Sequence, residues 1–327
     1  MRKLLLGTTA LAAAATLSAN AALADVSISG YYEWVYNSRS SNQTTLDGTS
    51  FTGDSEIAMT FTNKTDSGLT VSMKQEFETM TDESIVQESA LYIEGGFGKI
   101  QLGGDDGAAE DFNIDAQGLV AEEASPSVTS ASIATNTEAG VEDGNDNKVL
   151  YTLPAMGGLT AGISFRDSGA VGSTDTTTIG ANYTLSAAGM DITIGGANST
   201  TGVSGATDND SHNLGIQIVS GDMTLVASQS EKTNQSDELS SSSIGISFAM
   251  PNGMKIGAYT MTSEDDLDTN EEYTKSGFEL QYTIASGLTA YINIDDYEYT
   301  ATTSDGGSGG STTATSDSGT NSKLTIK

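Results

Sequence analysis

The sequence predicts an all-β protein, a 16-stranded antiparallel transmembrane β-barrel. Three observations support this prediction. Apolar and polar residues alternate with a period of two in many segments, these segments come in pairs joined by tight turns, and longer polar stretches separate the pairs. A period of two gives a strand one apolar and one polar face. Alternating short and long connections are typical of barrels that cross a membrane.

Seven strand pairs are predicted hairpins. In residues 278–294, FELQYTIASGLTAYINI, the even positions on both sides of the Ser286-Gly287 turn are apolar or aromatic. The same alternation returns in residues 57–73, 91–102, 149–165, 179–194, 214–227 and 244–258. A first strand near residues 26–36 and a last one near residues 324–326 bring the total to 16.

The polar stretches between hairpins are predicted to be long loops at one end of the barrel. They lie near residues 38–55, 79–88, 104–147, 167–177, 197–212, 229–242, 262–275 and 298–321. The even strand number places both chain ends on the opposite, short-turn side.

Residues 1–24 are predicted to be a signal peptide, and residues 25–327 the barrel domain. Arg2 and Lys3 precede a largely apolar stretch from Leu4 to Leu17, and Ala22-Leu23-Ala24 gives the expected small-x-small cleavage site. No later run of about 18 apolar residues would make a helical anchor. The chain has no Cys, which excludes a disulfide framework.

The charge balance excludes nucleic acid as a partner. The chain has 13 Lys and Arg against 44 Asp and Glu, a formal net charge of −31. Binding to phosphates requires a basic face, which this composition cannot supply. Cations or small hydrophilic solutes fit better.

The apolar faces of the strands have to be buried, but no helix or apolar segment remains in the chain to pack against them. We therefore expect these faces to contact lipid. Closure of the barrel pairs every strand, as a membrane interior demands. The polar face then lines a water-filled pore. The charged residues predicted to line the barrel wall are Glu33, Glu56, Lys74, Glu76, Glu94, Lys99, Lys148, Arg166, Lys255 and Lys323.

Residues 105–147 are the predicted constriction loop. They include eleven acidic residues and no Lys or Arg. The carboxylates expected to narrow the pore are those of Asp105, Asp106, Glu110, Asp111, Asp115, Glu122 and Glu123. Folded inward, they would face the wall cations and create a transverse field. Topology alone leaves open that the loop stands outside as a solvated acidic surface.

Two motifs carry a resemblance to a known family. GGFGKIQLGG (residues 95–104) resembles the hairpin that leads into the constriction loop of Gram-negative general porins, and NKVLYTLPAMGG (residues 147–158) resembles the strand that follows that loop. The layout is similar to that of the alphaproteobacterial branch. The resemblance implies a homotrimeric outer-membrane diffusion channel with its third loop folded inward. It also implies contact with outer-membrane lipid and lipopolysaccharide, and insertion by the barrel-assembly machinery.

The chain departs from the family pattern at two places. Gly104 stands where the family commonly has an Arg. The basic side of the constriction therefore has fewer charges, which predicts a preference for cations or for small neutral and zwitterionic solutes. The family closes on a terminal aromatic residue, whereas this sequence stops at Lys327. We therefore expect the sequence to be truncated before that residue, with an atypical terminus as the alternative.

The sequence predicts no enzyme and no cofactor. His212 is the one histidine, so a Ser-His-Asp triad would depend on a single loop-edge residue. The pairs Asp105-Asp106 and Glu122-Glu123 are read as solvated charge rather than as an acid/base pair. A loop-bound Ca²⁺ on Asp266, Asp268, Asn270 and Glu272 stays an open option, although the Gly of a calcium loop is missing. The main alternative function is a secreted acidic surface-layer or adhesin β-protein.

Overall fold

A computed structural model of the chain shows a closed barrel of sixteen antiparallel strands. It describes residues 25–42, 47–78, 80, 86–120, 146–167, 175–202, 208–233, 238–265, 271–304 and 312–327, so the predicted signal peptide lies outside the described residues. Among the residues in these ranges, no helix has the length and hydropathy needed to cross a membrane.

The strands follow one another around the barrel in chain order. They are β1 (Asp25–Ser41), β2 (Gly48–Lys64), β3 (Thr70–Glu78), β4 (Val86–Gly95), β5 (Gly98–Gly104), β6 (Asn147–Thr152), β7 (Leu159–Arg166), β8 (Thr176–Ala187), β9 (Met190–Thr201), β10 (Asn209–Ser220), β11 (Met223–Thr233), β12 (Glu238–Ala249), β13 (Met254–Asp265), β14 (Glu271–Ala285), β15 (Leu288–Ser304) and β16 (Thr312–Ile326). Between β5 and β6 lie a short helix, α1 (Ala108–Phe112), and a 3-10 turn (Gln117–Leu119).

Pairing of β1 with β16 closes the sheet. Trp34 lies opposite Ile326 and Ser41 lies opposite Gly319, while β1 also pairs with β2 along most of its length. Every strand thereby has two partners, so the barrel has no free edge. The predicted all-β, sixteen-stranded antiparallel barrel is confirmed.

The two faces of the sheet differ in polarity as the period of two predicts. In the parts of β14 and β15 nearest their turn, the large apolar side chains Phe278, Ile284 and Ile292 are exposed, whereas the neighbouring Glu279 and Asn293 are buried. Exposed apolar side chains recur on the same face of the other strands. A closed barrel with an apolar outside and a polar inside is the arrangement that lipid stabilises.

The hairpin turns are tight because their residues tolerate positive φ. In the turn between β8 and β9, Ala188 has φ 54° and Gly189 has φ 77°. Two successive left-handed residues form the type I′ turn that matches the twist of the flanking strands.

The predicted long loops are wrong in extent. Residues 298–304 belong to β15 and residues 312–321 to β16, and the ladder between them continues to the pair Ser304 and Thr312. Beyond the hydrocarbon layer both strand faces meet water, so apolar alternation ceases although the backbone ladder goes on. Polar pairs stabilise these ends, as where Thr320 Oγ1 donates to Asp296 Oδ1 at 2.6 Å.

Candidate functional site: the barrel interior

The inner wall of the barrel has one side on which few side chains are charged. From β7 to β13 its buried side chains are mostly small and polar, and they include Ser164, Thr176, Thr178, Ser199, Ser211, Asn213, Ser230, Ser241, Ser243, Ser247 and Ser263. Hydroxyl and amide groups can accept and donate hydrogen bonds without a net charge. This side of the wall can therefore hold another chain segment through its backbone.

Residues 105–120, here called the inner segment, occupy that side of the wall. The segment leaves the end of β5, forms α1 against β7, β8 and β9, and reaches β12 and β13 with the 3-10 turn. It thus runs across half of the barrel circumference. The rest of the predicted constriction loop, including Glu122 and Glu123, lies outside the described residues up to residue 145.

Side chains of the wall bind the backbone of the inner segment at three of its residues. The amides of Ala108 and Ala116 donate to Ser164 Oγ at 3.2 Å and Ser243 Oγ at 3.1 Å. Asn213 uses both amide atoms on Ile114, accepting from its N–H at 3.4 Å and donating to its carbonyl at 3.5 Å. These bonds satisfy backbone groups that would otherwise be buried without partners.

Glycines of the wall form the seat for the inner segment. A Cβ at Gly180 would lie 2.6 Å from Phe112 Cδ2, and one at Gly162 would lie 2.9 Å from Phe112 Cε2. At Gly215 a Cβ would come within 2.4 Å of the Ile114 carbonyl oxygen. Gly245 and Gly257 leave similar room for Leu119. The side chains of the segment therefore fill space that only glycine leaves open.

Apolar side chains complete the contact between segment and wall. Phe112 and Ala108 pack with Leu150 of β6. A second cluster joins the far end of the segment to β11 and β13, and consists of Ile114, Ala116, Leu119, Val120, Val226, Tyr259 and Met261. Burial of this area from water stabilises the segment inside a barrel whose wall is otherwise polar.

The root of the inner segment, at Asp105 and Asp106, is held by the charged side of the wall. Lys148 Nζ donates to the Asp105 carbonyl at 2.8 Å, and Gln101 Nε2 donates to the Asp106 carbonyl at 2.7 Å. The Asp105 carboxylate accepts from the Tyr92 hydroxyl and lies 3.7 Å from Lys74 Nζ. Both the backbone and the side chain of Asp105 are thus fixed.

The five described acidic residues of the segment divide into two groups. Asp105, Glu110 and Asp115 are half-buried and engaged: Asp105 with Tyr92 and Lys74 as described, Glu110 Oε2 as acceptor from the Gly107 amide at 2.7 Å, and Asp115 Oδ1 as acceptor from the Gly118 amide at 2.8 Å. The carboxylates of Asp106 and Asp111 are exposed. These two are the carboxylates of the segment best placed to meet a passing ion.

Asp105 and Asp111 titrate in opposite directions. The Asp111 carboxylate is accessible to solvent, but surrounding protein atoms inside the barrel displace much of the bulk water and raise its pKa; Asp106 and Asp105 add to the rise, and Lys99 and Lys148 oppose it. Burial also disfavours the charged form of Asp105, but hydrogen bonds with Tyr92 and Glu88 prevail and lower its pKa. Asp111 therefore takes up a proton before Asp105 as the pH falls.

The predicted wall cations lie on the inner face, and most of them contact a specific group. Lys255 Nζ donates to the Leu119 carbonyl at 2.9 Å, Arg166 Nη1 donates to Asp146 at 2.5 Å, and Lys99 lies over the Tyr92 ring. The sequence predicts wall cations that lie across the pore from the carboxylates of the loop. Instead, Lys74, Lys148 and Lys255 contact the inner segment directly. Their charge is used to hold the segment.

The remaining predicted wall residues lie on the same inner face. Glu94 is opposite Lys99 in the β4–β5 ladder, and Glu76 is 3.1 Å from Lys74. Glu33 forms an ion pair of 3.3 Å with Lys327 and lines a cavity with Lys323. Glu56 lies opposite Glu78 in the β2–β3 ladder.

Two residues considered for other chemistry have different surroundings. His212 is about half exposed on β10 and 3.5 Å from Glu231 Oε2. Asp266, Asp268 and Asn270 lie outside the described residues, and Glu272 is in β14. Among the described residues, oxygens of Glu88, Asp105 and Asp106 lie within 4.8 Å of one another, a grouping that could hold a cation.

Sequence reasoning missed the seat and α1. The glycines of the seat all fall on the polar parity of their strands, and Phe112, Ile114, Leu119 and Val120 are apolar residues within an acidic loop. That combination signals a loop with a docking face and a wall with space to receive it.

A family model described as Gram-negative porin matches residues 7–302. Three solved structures show the same fold at low identity. An anion-selective porin from Comamonas acidovorans is 15% identical, with a TM-score of 0.63 over 92% of this chain and 99% of that one. OmpT of Vibrio cholerae is 13% identical, with a TM-score of 0.65 over 94% and 98%. A mutant porin of Rh. blastica is 16% identical, with a TM-score of 0.59 over 91% and 100%. No curated protein sequence matches the chain significantly.

Proposed function

Because this chain belongs to the Gram-negative porin family and forms an outer-membrane channel, we propose that the channel passes ions and small hydrophilic solutes by passive diffusion and prefers cations. The alternative of a surface-layer or adhesin module loses its basis, since the porin model matches nearly the whole chain.

The observation that supports the cation preference is that acidic and basic side chains have different surroundings in the barrel interior. Asp106 and Asp111 are exposed on the inner segment, whereas Lys148 and Lys255 are bound to its backbone carbonyls. Acidic side chains outnumber basic ones 44 to 13 in this chain, and a barrel wall of low dielectric focuses the field of the excess carboxylates into the pore. Cations are then concentrated in the lumen and anions are depleted.

Family membership alone does not decide the sign of the preference. The Comamonas acidovorans structure is described as an anion-selective porin. In this chain the sign follows from its own residues, with 44 acidic against 13 basic side chains and an inner segment that contains no Lys or Arg. The fold supplies the pore, and the side chains supply the selectivity.

The position of the inner segment also supports the proposal that only small solutes pass through the barrel. A barrel of this strand number is too wide for wall side chains to fill. The segment lies against the wall from β7 to β13, and on the other side of the wall Glu33 and Lys74 stay partly exposed and Glu94 exposed. Solutes would pass between the segment and the charged wall.

Three partners belong to the same proposal. A Vibrio cholerae OmpT structure is described as a trimer form, and we propose that three copies of this chain assemble likewise. Outer-membrane lipid and lipopolysaccharide would cover the apolar outer face, and the barrel-assembly machinery would insert the chain. Native mass spectrometry of the detergent-extracted protein tests the trimer, for which a mass of three chains is expected and a single chain would refute it.

The channel proposal is tested in a planar lipid bilayer under a KCl gradient. Stepwise conductance with a reversal potential of the sign set by K⁺ supports both parts of the proposal. A reversal potential set by Cl⁻ refutes the cation preference. Refolded barrel without conductance refutes an open channel.

A further inference from the structure

A cavity of about 240 Å³, here called the seam cavity, lies in the inner wall where β1 meets β2 and β16. Its lining includes Val35, which is 3% exposed, and otherwise glycine, polar and charged residues. The inner segment, residues 105–120, does not line it. The seam cavity is therefore separate from the part of the interior that holds the segment.

One end of the seam cavity has two carboxylates. Glu33 of β1 and Asp54 of β2 are direct partners in the antiparallel ladder, so their side chains leave the same face about 5 Å apart at Cβ. Lys327 Nζ lies 3.3 Å from Glu33 Oε2, and Asp54 Oδ2 accepts from the Tyr31 hydroxyl at 2.7 Å. Asp54 Oδ1 has no hydrogen-bond partner in the part of the chain that the structure describes. This end therefore has an excess of acceptor oxygens and of negative charge.

The other end of the seam cavity has two cations. Lys323 of β16 is the ladder partner of Asn37, and Arg39 follows Asn37 by two residues along β1. Arg39 is exposed and forms no ion pair with any acidic side chain of the described residues. At about 3.4 Å per residue, Lys323 and Arg39 lie about 14 Å and about 20 Å along the strand from the level of Glu33. Charges of opposite sign thus line one cavity without neutralising each other.

These two ends together fit a ligand that carries both charges. Carboxylates bind an ammonium group, and Arg and Lys bind a carboxylate, by charge-assisted hydrogen bonds. A free α-amino acid is too short to contact both ends, because one carbon joins its two charged groups. An extended peptide of two or three residues spans about 7–10 Å, which fits the gap that remains when the flexible Lys323 and Arg39 side chains lean towards the carboxylates.

The middle of the seam cavity fits the backbone of such a peptide. Thr52 and Asn37 line it between the charged ends. Hydroxyl and amide groups both donate and accept hydrogen bonds, as the peptide groups of a ligand require. The cavity volume lies below the range of about 300–1,000 Å³ that holds drug-sized ligands, so a short peptide fits it and a long one does not.

We propose that the seam cavity binds zwitterionic peptides of two or three residues, with the peptide ammonium at Glu33 and Asp54 and the peptide carboxylate at Lys323 and Arg39. This inference rests on the proposed channel function, because the peptide reaches the cavity through the lumen. It goes beyond that function, since passive diffusion requires no binding site.

Binding should be weak and sensitive to salt. A solute that crosses a channel must also leave it, so we expect a dissociation constant of about 1 mM. At about 1 M KCl the Debye length falls to about 3 Å, and binding should weaken because both ends act by charge.

The first test compares three ligands in ligand-observed NMR titrations of the refolded, detergent-solubilised barrel. They are alanyl-alanine, N-acetyl-alanyl-alanine, which lacks the ammonium group, and alanyl-alaninamide, which lacks the carboxylate. We expect saturable binding of alanyl-alanine, and binding about tenfold weaker for each capped form, because each loses one set of charged hydrogen bonds. Equal binding of alanyl-alanine and either capped form would overturn the inference.

The second test places the ligand in the seam cavity. Asp54→Asn, which keeps an oxygen for the Tyr31 hydroxyl, and Lys323→Gln should each weaken binding of alanyl-alanine about tenfold. Asp66→Asn and Lys64→Gln change the net charge equally at the exposed turn after β2 and should bind as wild type does. Equal binding in Asp54→Asn and Asp66→Asn would overturn the inference.

The capped ligands separate contact with the ligand from a merely structural effect. Asp54→Asn should weaken alanyl-alaninamide but not N-acetyl-alanyl-alanine, and Lys323→Gln should do the reverse. Where Lys323→Gln folds poorly, Arg39→Gln at an exposed position tests the same end. Variants that weaken both capped ligands equally would overturn the assigned orientation.

Failure of the inference differs from failure of the proposed function, because binding is measured without conduction. A barrel that conducts K⁺ but shows no saturable binding of alanyl-alanine contradicts only the role of the seam cavity. A barrel that binds alanyl-alanine but does not conduct contradicts the channel proposal, and one that does neither contradicts both.

Discussion

Filling the glycine seat should loosen the inner segment. In Gly180→Ala the new Cβ would lie 2.6 Å from Phe112 Cδ2, 2.7 Å from Phe112 Cβ and 2.7 Å from the Ala108 carbonyl oxygen. Ordinary contacts between carbon atoms are about 3.5–4.0 Å, so α1 has to move by nearly 1 Å. Overpacking of this kind costs about 1–3 kcal/mol.

That cost sets the expected change in local opening. Phe112 and Ala108 are 3% and 0% exposed. Full loss of a buried Phe contact costs about 3–5 kcal/mol, which is more than the cost of overpacking. The segment should therefore stay docked in a strained position in Gly180→Ala. A cost of about 1–3 kcal/mol raises the opening equilibrium of the segment about 5- to 150-fold.

Thiol labelling measures this opening directly. The chain has no Cys, and Ala109 on α1 is 0% exposed, so Ala109→Cys places a single reporter under the segment. We expect Gly180→Ala to accelerate labelling of Cys at position 109 by the factor given above. Gly48→Ala is the control, because a Cβ at Gly48 has no atom within 4 Å. Labelling at the same rate in Gly180→Ala and Gly48→Ala would refute the claim that Gly180 makes room for the inner segment.

Two further predictions concern the inner segment. Ser243→Ala removes the acceptor of the Ala116 amide and should destabilise segment docking by about 1–3 kcal/mol, measured by the same labelling assay; an unchanged rate would show that this hydrogen bond does not hold the segment. Because the pKa of Asp111 is raised, the K⁺ preference should begin to fall above the ordinary carboxyl range of about pH 4 on acidification. Asp111→Asn should remove this early part of the titration of reversal potential, and an identical titration in wild type and Asp111→Asn would refute its assignment to Asp111.

Strand number and face polarity could be predicted because both follow from local pattern. The alternation of Phe278, Leu280 and Tyr282 with Glu279 and Gln281 fixes which side chains meet lipid, and a shift by one residue would reverse every face. Strand ends could not be predicted in this way. At Ser304 and Thr312 the ladder continues where the apolar pattern has already stopped.

The interior was harder to predict because it depends on contacts between residues distant in sequence. Parity placed Lys148 and Lys255 in the lumen, but it could not show that they bind the carbonyls of Asp105 and Leu119. The glycines at positions 180 and 215 look like weak points of strands when read alone. Their reason is apparent only when Phe112 and Ile114 are seen to fill the space above them.

The central claim is that exposed carboxylates of the inner segment make the pore prefer cations. Its most direct test is the reversal potential of wild type, of Asp106→Asn/Asp111→Asn and of the turn control Asp66→Asn/Asp222→Asn under one KCl gradient. We predict a K⁺ preference in wild type and in the turn control, and a preference clearly reduced in Asp106→Asn/Asp111→Asn. A wild-type preference for Cl⁻, or a K⁺ preference that survives loss of both segment carboxylates, would contradict the claim.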